Sequence, residues 1–187
     1  MAIEARNSLK IVLVSPRIAA NVGNVARTCK ALGAELHLVG PLGFFLDPKH
    51  VKRSSVGYWE EVQPLVHRDA QAFWSFMEEK SPRTAWYWAT KNGSSLHYDQ
   101  DYRADVGLIF GNEEEGVDPS FWKFESKSKG LPGIVSCRIP MCEVRCLNLA
   151  TSVGIIGYEV VRQWHKQGGL CLEDVKIEDG NRKRGLV

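Results

Sequence analysis

The sequence has no apolar run of the roughly 20 residues that a membrane-spanning helix requires, and no basic region followed by an apolar one at its N-terminus. It also lacks a dominant charge, because 24 Lys and Arg residues against 22 Asp and Glu residues give a net charge of +2. We therefore expect a cytoplasmic protein with no membrane contact. Any binding of nucleic acid must depend on a local basic patch.

Paired Cys-x-x-Cys spacing is absent, and five scattered cysteines predict reduced thiols without disulfides. Three of them, Cys137, Cys142 and Cys146, fall within ten residues, but no histidine is near them in sequence. This spacing is not typical of a structural zinc site, so we expect no bound metal. The dinucleotide pattern Gly-x-Gly-x-x-Gly is also missing at the sequence positions where it would be expected.

The 187 residues alternate between short β-branched runs and helical patterns, which predicts one α/β domain with a mostly parallel sheet and helices on both faces. The predicted domain covers residues 1–165. Residues 166–187 form a polar tail of mixed charge. A strand over residues 58–62 and an irregular segment over 94–103 are further expectations.

The first βαβ unit consists of a strand over residues 9–14, a helix that ends at Gly33 and a strand over 36–39. Asn21 is expected as the N-cap of the helix. Arg27 lies off the apolar stripe of that helix. The start of this helix follows the carboxyl end of the buried strand 9–14, where open α/β sheets bind ligands.

A second turn, Gly111-Asn-Glu-Glu-Glu-Gly116, directly follows the predicted strand 106–110. It places backbone N–H groups and carboxylates at the same edge of the sheet. Three adjacent glutamates would repel phosphate, which argues against a nucleoside triphosphate.

A third turn lies between a predicted strand over 133–139 and a helical pattern that starts at Leu147. We expect Leu147, Ala150, Val153, Gly154, Gly157, Tyr158 and Val161 on one face of this helix. Each interior glycine costs roughly 1 kcal/mol against alanine, so close approach of another backbone is the expected reason for Gly154 and Gly157. An ordinary strand, turn and amphipathic helix remains the alternative for this stretch.

The three turns, taken in this order, resemble the SPOUT superfamily of RNA methyltransferases, in particular its SpoU (TrmH) class and, within it, the TrmL type that methylates the wobble ribose of tRNA. The matching residues are Asn21, Gly23, Asn24 and Arg27; Phe110, Gly111, Glu113 and Gly116; and Ile139-Pro140-Met141 with Leu147-Asn148-Leu149. The resemblance implies an α/β fold with a C-terminal trefoil knot, a homodimer, S-adenosylmethionine as cofactor, and tRNA or another RNA as substrate.

The same resemblance assigns roles to individual residues. It implies Arg27 and Asn21 as catalytic residues. It implies cofactor contacts at Trp88, Gly111, Glu113, Ile139, Met141, Cys146, Leu147 and Asn148. RNA contacts are expected at Lys49, Lys52, Arg53, Arg145 and Tyr158. Cys146 departs from the family pattern, which has serine there.

Two other functions remain open from the sequence. The chain is also compatible with a ribose methyltransferase that acts on ribosomal RNA or another tRNA site. From a different class, Cys146 leaves open a knotted RNA-binding or assembly protein without activity.

Overall fold

Seven parallel strands and five α-helices form the part of the chain that the structure, a computed structural model, describes: residues 7–46, 58–125 and 133–168. The strands are β1 (Ser8–Val14), β2 (Glu35–Val39), β3 (Leu65–His67), β4 (Ala85–Ala89), β5 (Ser95–Leu96), β6 (Asp105–Phe110) and β7 (Val135–Arg138). The helices are α1 (Ala19–Leu32), α2 (Trp59–Val62), α3 (Ala70–Lys80), α4 (Trp122–Glu125) and α5 (Leu149–Lys166). Two 3₁₀ turns cover His97–Asp99 and Pro119–Phe121.

The sheet has the order β3-β2-β1-β6-β4-β7-β5, and all of its strand pairs are parallel. The predicted α/β class and parallel sheet are therefore confirmed. Because every strand points the same way, all carboxyl ends meet at one edge, where the three turns identified in the sequence also lie.

Apolar side chains cover both faces of the sheet, as expected for buried parallel strands. On one face, α1 and α5 pack against β1, β6 and β4 through residues such as Val25, Leu108 and Ile156. On the other face, Phe73 and Trp74 of α3 pack against Trp86 and Phe121. The two layers hold the strand ends in fixed positions.

Helix α1 begins earlier than predicted. Its N-cap is Ile18, which makes no side-chain cap bond, so the prediction of Asn21 as N-cap is wrong. Asn21 lies in the first turn, where its amide is bonded to distant residues. The predicted end of this helix at Gly33 is confirmed: Gly33 is the C-cap, and its left-handed φ of 64° suits glycine.

Two short elements also differ from expectation. Residues 59–62 form the helix α2 and not a strand, with two glutamates in the first turn, where the helix dipole favours them. The segment predicted as irregular contains β5, which pairs with β7 through Ser95 and Leu96. Two residues are too few to give a period-2 pattern in the sequence.

Helix α5 begins at Leu149 because Asn148 is its N-cap and accepts hydrogen bonds from the amides of Ala150 and Thr151. Of the residues predicted on its buried face, Val153, Gly157 and Val161 are buried. The rest of that face is formed by Leu149, Ile156, Val160 and Trp164. Tyr158, predicted on that face, is 53% exposed.

The two glycines of α5 have different surroundings. A Cβ at Gly157 would lie 2.6 Å from Cδ1 of Leu32, so a side chain of α1 and not another backbone occupies the space. A Cβ at Gly154 would meet nothing within 4 Å. Close backbone approach is therefore the wrong explanation for both within the described chain.

No described helix is long and apolar enough to cross a membrane. Of the predicted tail, only residues 166–168 belong to the described part of the chain.

Candidate active site

A cavity of about 550 Å³ opens at the carboxyl edge of the sheet. Its walls come from the start of α1, the end of β4 with the turn that follows, the turn after β6, and the segment between β7 and α5. Its volume falls within the range of roughly 300–1,000 Å³ that small-molecule sites occupy. The three sequence turns therefore line one site.

A chain of side-chain hydrogen bonds joins these turns. Asn148 Nδ2 donates to Asn21 Oδ1 at 2.9 Å, and Asn21 Nδ2 donates to Glu113 Oε1 at 2.8 Å. Asn21 is 6% exposed, so an unpaired amide there would be costly. The three residues come from three separate segments and fix their relative positions.

Glu113 also anchors the loop that leads into α1. Its Oε2 accepts from the backbone N–H of Arg17 at 2.9 Å, and its Oε1 accepts from that of Ile18 at 3.3 Å. A carboxylate beside the first N–H groups of a helix is favourable because it opposes the positive end of the helix dipole.

Arg17 forms a second link between the same two turns. Its guanidinium lies 3.2 Å from Glu114 Oε2 and 3.0 Å from Glu115 Oε2. Both glutamates line the cavity. Because the side chain of Arg17 is 43% exposed, these pairs are worth little in stability, but they reduce the negative charge of the turn.

Tight backbone packing shapes the remaining walls. A Cβ at Gly93 would collide with the backbone of Cys137, and Arg138 Nη1 donates to the carbonyl of Gly93 at 2.6 Å. The turn after β4 is thereby fixed against β7. A Cβ at Gly111 would collide with the backbone of Gly116 and Val117, so only glycine allows this turn to close.

All the residues predicted to bind a cofactor line this cavity: Trp88, Gly111, Glu113, Ile139, Met141, Cys146, Leu147 and Asn148. Asn21 and Arg145 line it as well. Their contact with a ligand stays a prediction, but the structure places them together.

Other predicted site residues lie elsewhere. Arg27 and Tyr158 are exposed and are not part of the cavity wall. Among the described residues, the side chain of Arg27 has no hydrogen-bond or ion-pair partner. Lys49, Lys52 and Arg53 lie outside the described residues.

Sequence reasoning missed several wall residues. Ile18, Asn112 and Ser152 contribute to the cavity. Lys91, which the sequence offers as a candidate RNA contact in the turn Lys91-Asn92-Gly93, also lines it. Ser152 could have been found from its position one helical turn after Asn148, which brings both to one side of α5.

The described cysteines fall into two groups. Cys29 and Cys137 are buried, and burial raises the pKa of Cys137 to about 11, so this thiol stays protonated and unreactive. Cys142 and Cys146 are exposed and free, and only Cys146 lines the cavity. Within residues 7–46, 58–125 and 133–168, no group of three or more His, Cys, Asp or Glu side chains could hold a metal ion.

The profile of the SpoU rRNA Methylase family matches residues 8–158, which covers all three turns and most of the sheet. The chain belongs to the SpoU methylase family. The resemblance inferred from the ordered turns is therefore confirmed.

Among relatives of this SpoU methylase is the tRNA (cytidine(34)-2'-O)-methyltransferase of Yersinia pestis, with 36% identity over 167 residues, or 88% of this chain and 99% of that protein. A structure solved in work on the 2-OH methylation of C/U34 on tRNA has 35% identity and a TM-score of 0.72, covering 86% of this chain and 98% of the other. These matches also confirm the predicted likeness to the TrmL type.

A further solved relative, the SpoU methyltransferase AviRb of Streptomyces viridochromogenes in complex with AdoMet, has 26% identity and a TM-score of 0.68. The match covers 84% of this chain and 58% of AviRb. That structure contains the cofactor AdoMet.

Proposed function

We propose that this SpoU methylase transfers a methyl group from S-adenosylmethionine to a ribose 2′-hydroxyl of RNA, and that its substrate is the wobble nucleotide of tRNA. The observation that carries the proposal is the single cavity in which the three family turns are joined by the Glu113, Asn21 and Asn148 side chains. The tRNA substrate is supported by the two relatives that align over nearly their whole length.

The cavity suits S-adenosylmethionine in charge and in shape. Glu113, Glu114 and Glu115 line one side, where they would favour a ligand that carries a sulfonium and an ammonium group and repel one that carries several phosphates. Backbone and apolar groups at Ile139 and Leu147 could hold an adenosine. When bound, this cofactor supplies an electrophilic methyl group on sulfur.

The residues of the chain would act by positioning and not by proton abstraction. Both polar atoms of the Asn21 amide are bonded within the protein, which supports a role in holding the turns together. A guanidinium has five N–H donors and no acceptor, so Arg27 would orient a phosphate and stabilise negative charge at the reacting oxygen.

Cations on the cavity rim would bind the RNA backbone. Lys91 and Arg145 line the side formed by the β4 turn and the loop after β7. Phosphate contacts of this kind position an RNA without reading its sequence. We propose phosphate contacts for Lys49, Lys52 and Arg53 as well.

We further propose the C-terminal knot and a homodimer. An exposed Arg27 supports the dimer, because Arg27 is six residues after Asn21 in α1 and so lies on a different side of the helix from the cavity. In the dimer, Arg27 would act at the cavity of the partner. Tyr158 is exposed and the space next to Gly154 is open, so this side of α5 is available for contact with a second subunit.

Methylation of ribosomal RNA is the second candidate, because the matching family is described by that substrate. A knotted RNA-binding protein without activity is a third. Cys146 supports it, because a thiol is a poorer hydrogen-bond donor than the hydroxyl of serine.

Calorimetry with S-adenosylmethionine tests the cofactor assignment. We expect saturable binding to the wild type, loss of binding in Cys146→Trp, which places a large ring at the cavity wall, and normal binding in Cys142→Trp. The second variant is a matched control, because Cys142 is in the same loop but does not line the cavity. Absence of binding to the wild type would refute the assignment as an S-adenosylmethionine-dependent enzyme.

A further inference from the structure

Phe45 has the most exposed large apolar side chain in the described part of the chain. It is 94% exposed, whereas the next, Val144, is 57% exposed. Leaving a phenylalanine in water forgoes a substantial hydrophobic stabilisation, so such complete exposure calls for an explanation.

The backbone around Phe45 is held in place. Leu42 and Phe44 pack against the core, and the N–H of Gly43 donates to the carbonyl of Pro16 at 3.0 Å. A Cβ at Gly43 would lie 2.8 Å from Cα of Arg17, so the two segments touch. Since its neighbour Phe44 is packed inward, the ring of Phe45 is presented to solvent from an anchored loop.

This loop lies at the same sheet edge as the cavity. It follows β2, and Gly43 is bonded to Pro16, two residues before the cavity residue Ile18. Counting 3.8 Å for each Cα step, Phe45 is within about 20 Å of Ile18 along the backbone. A short stretch of single-stranded RNA can span that distance.

We propose that Phe45 is a stacking platform for an unpaired base of the RNA substrate that neighbours the methylated nucleotide. The inference rests on the proposed function and adds a residue that selects single-stranded RNA. Every base has a π-face, so a single exposed ring can bind one without an extended apolar surface.

The surroundings of Phe45 favour RNA over a protein partner. A stable protein interface buries about 800 Å² on each side. Within its described residues, the anchored loop offers, besides Phe45, only Leu46 at 37% exposure, which is too little apolar surface for such an interface. The sequence after the loop carries Lys49, Lys52 and Arg53, which suit a phosphate backbone.

The test uses full-length protein and anticodon stem-loop RNAs that contain 2-aminopurine at one unpaired position each. We expect the wild type to quench 2-aminopurine at one of these positions. Phe45→Ala and Phe45→Leu should abolish that quenching and raise the KM for RNA about tenfold or more, with kcat and cofactor affinity unchanged. Phe45→Trp should restore both readouts, because it restores an aromatic plane.

Tyr98→Ala is the matched control. Tyr98 is 46% exposed and follows β5, five strands away from β2 in the sheet. It should leave quenching and KM unchanged.

The outcomes separate the two proposals. An active wild type with an unchanged KM for RNA in Phe45→Ala would overturn the stacking role and leave the proposed function intact. A wild type that binds no cofactor and methylates no RNA would overturn both. If Phe45→Leu behaves like the wild type, or if Phe45→Ala dissociates a dimer in sedimentation, Phe45 is an apolar protein contact and the stacking role is wrong.

Discussion

Two buried polar clusters join separate elements of this protein, and they respond differently to protons. At the cavity, Asn21 bridges Glu113 and Asn148. At the edge of the sheet, His37 Nδ1 of β2 lies 3.0 Å from His67 Nε2 of β3, and the rings stack against each other beside Phe73 and Phe76. The first cluster consists of two amides and a carboxylate and contains no imidazole. The second consists of imidazoles, so it is coupled to pH.

The largest expected effect comes from placing a charge in the cavity cluster. In Asn21→Asp a second carboxylate would face Glu113 in a site where Asn21 is 6% exposed. Like charges at hydrogen-bond distance in a buried site should lower the free energy of unfolding by about 3 kcal/mol or more. Urea denaturation at pH 7.5 measures the change.

Asn24→Asp is the matched control, because Asn24 is exposed one turn along the same helix. It should change stability by less than about 0.5 kcal/mol. Equal losses in the two variants would show that the Asn21 bridge contributes nothing specific.

Acid should act on the histidine cluster. Burial, reinforced by the neighbouring His37, lowers the pKa of His67 to about 4 from the ordinary 6.5. Between pH 6.5 and 4 the unfolded chain binds a proton that the folded chain rejects, so stability falls as the pH falls through this window. Below pH 4 the loss in the free energy of unfolding is on the order of 3 kcal/mol.

Chemical denaturation of wild type and His67→Gln at pH 7.5, 5.5 and 4.5 measures this loss. The wild type should lose more stability between the first and last pH than the variant does, even if the variant is less stable at pH 7.5. Parallel curves for the two proteins would remove His67 as the cause.

A smaller effect, on activity alone, is expected outside both clusters. Arg27→Ala should lower kcat about 100-fold and leave cofactor affinity and stability unchanged, because Arg27 is exposed and outside the cavity wall. Arg83→Ala is the matched control: Arg83 is also exposed but precedes β4, at the opposite edge of the sheet. Full activity in Arg27→Ala would refute the assigned role.

The smallest effects concern the glycines of α5. Gly154→Ala should stabilise an isolated chain by up to about 1 kcal/mol, because helix propensity improves and no described atom is within 4 Å. Gly157→Ala should gain less or lose stability, since Cδ1 of Leu32 must move. If Gly154→Ala weakens dimerisation in sedimentation, the dimer covers this position. A neutral effect on dimerisation would place the interface elsewhere.

The sequence allowed prediction of elements that are long or marked by local signals. Strand β6 is a continuous buried run, as its sequence predicts. Gly33 ends α1 as its position indicates. These features depend on neighbouring residues only, so their patterns survive in the sequence.

Features that depend on distant partners could not be predicted in the same way. Asn21 reads as a helix cap by its type, but its amide is bonded to Asn148, 127 residues away. The buried face of α5 was predicted only in part, because Leu149 and Ile156 pack on α1 and the sheet, which a helical period alone does not locate. The family turns identified the cavity walls, whereas the role proposed for Arg27 involves a partner or substrate outside the single chain.

The most direct test of the account is transfer of an isotopically labelled methyl group from S-adenosylmethionine to unmodified tRNA, followed by mass mapping of the product. We expect one labelled ribose, at the wobble nucleotide, and none in Cys146→Trp. Label on a base, at another nucleotide or only on ribosomal RNA would contradict the proposed substrate, and absence of label despite saturable cofactor binding would contradict the proposed enzyme.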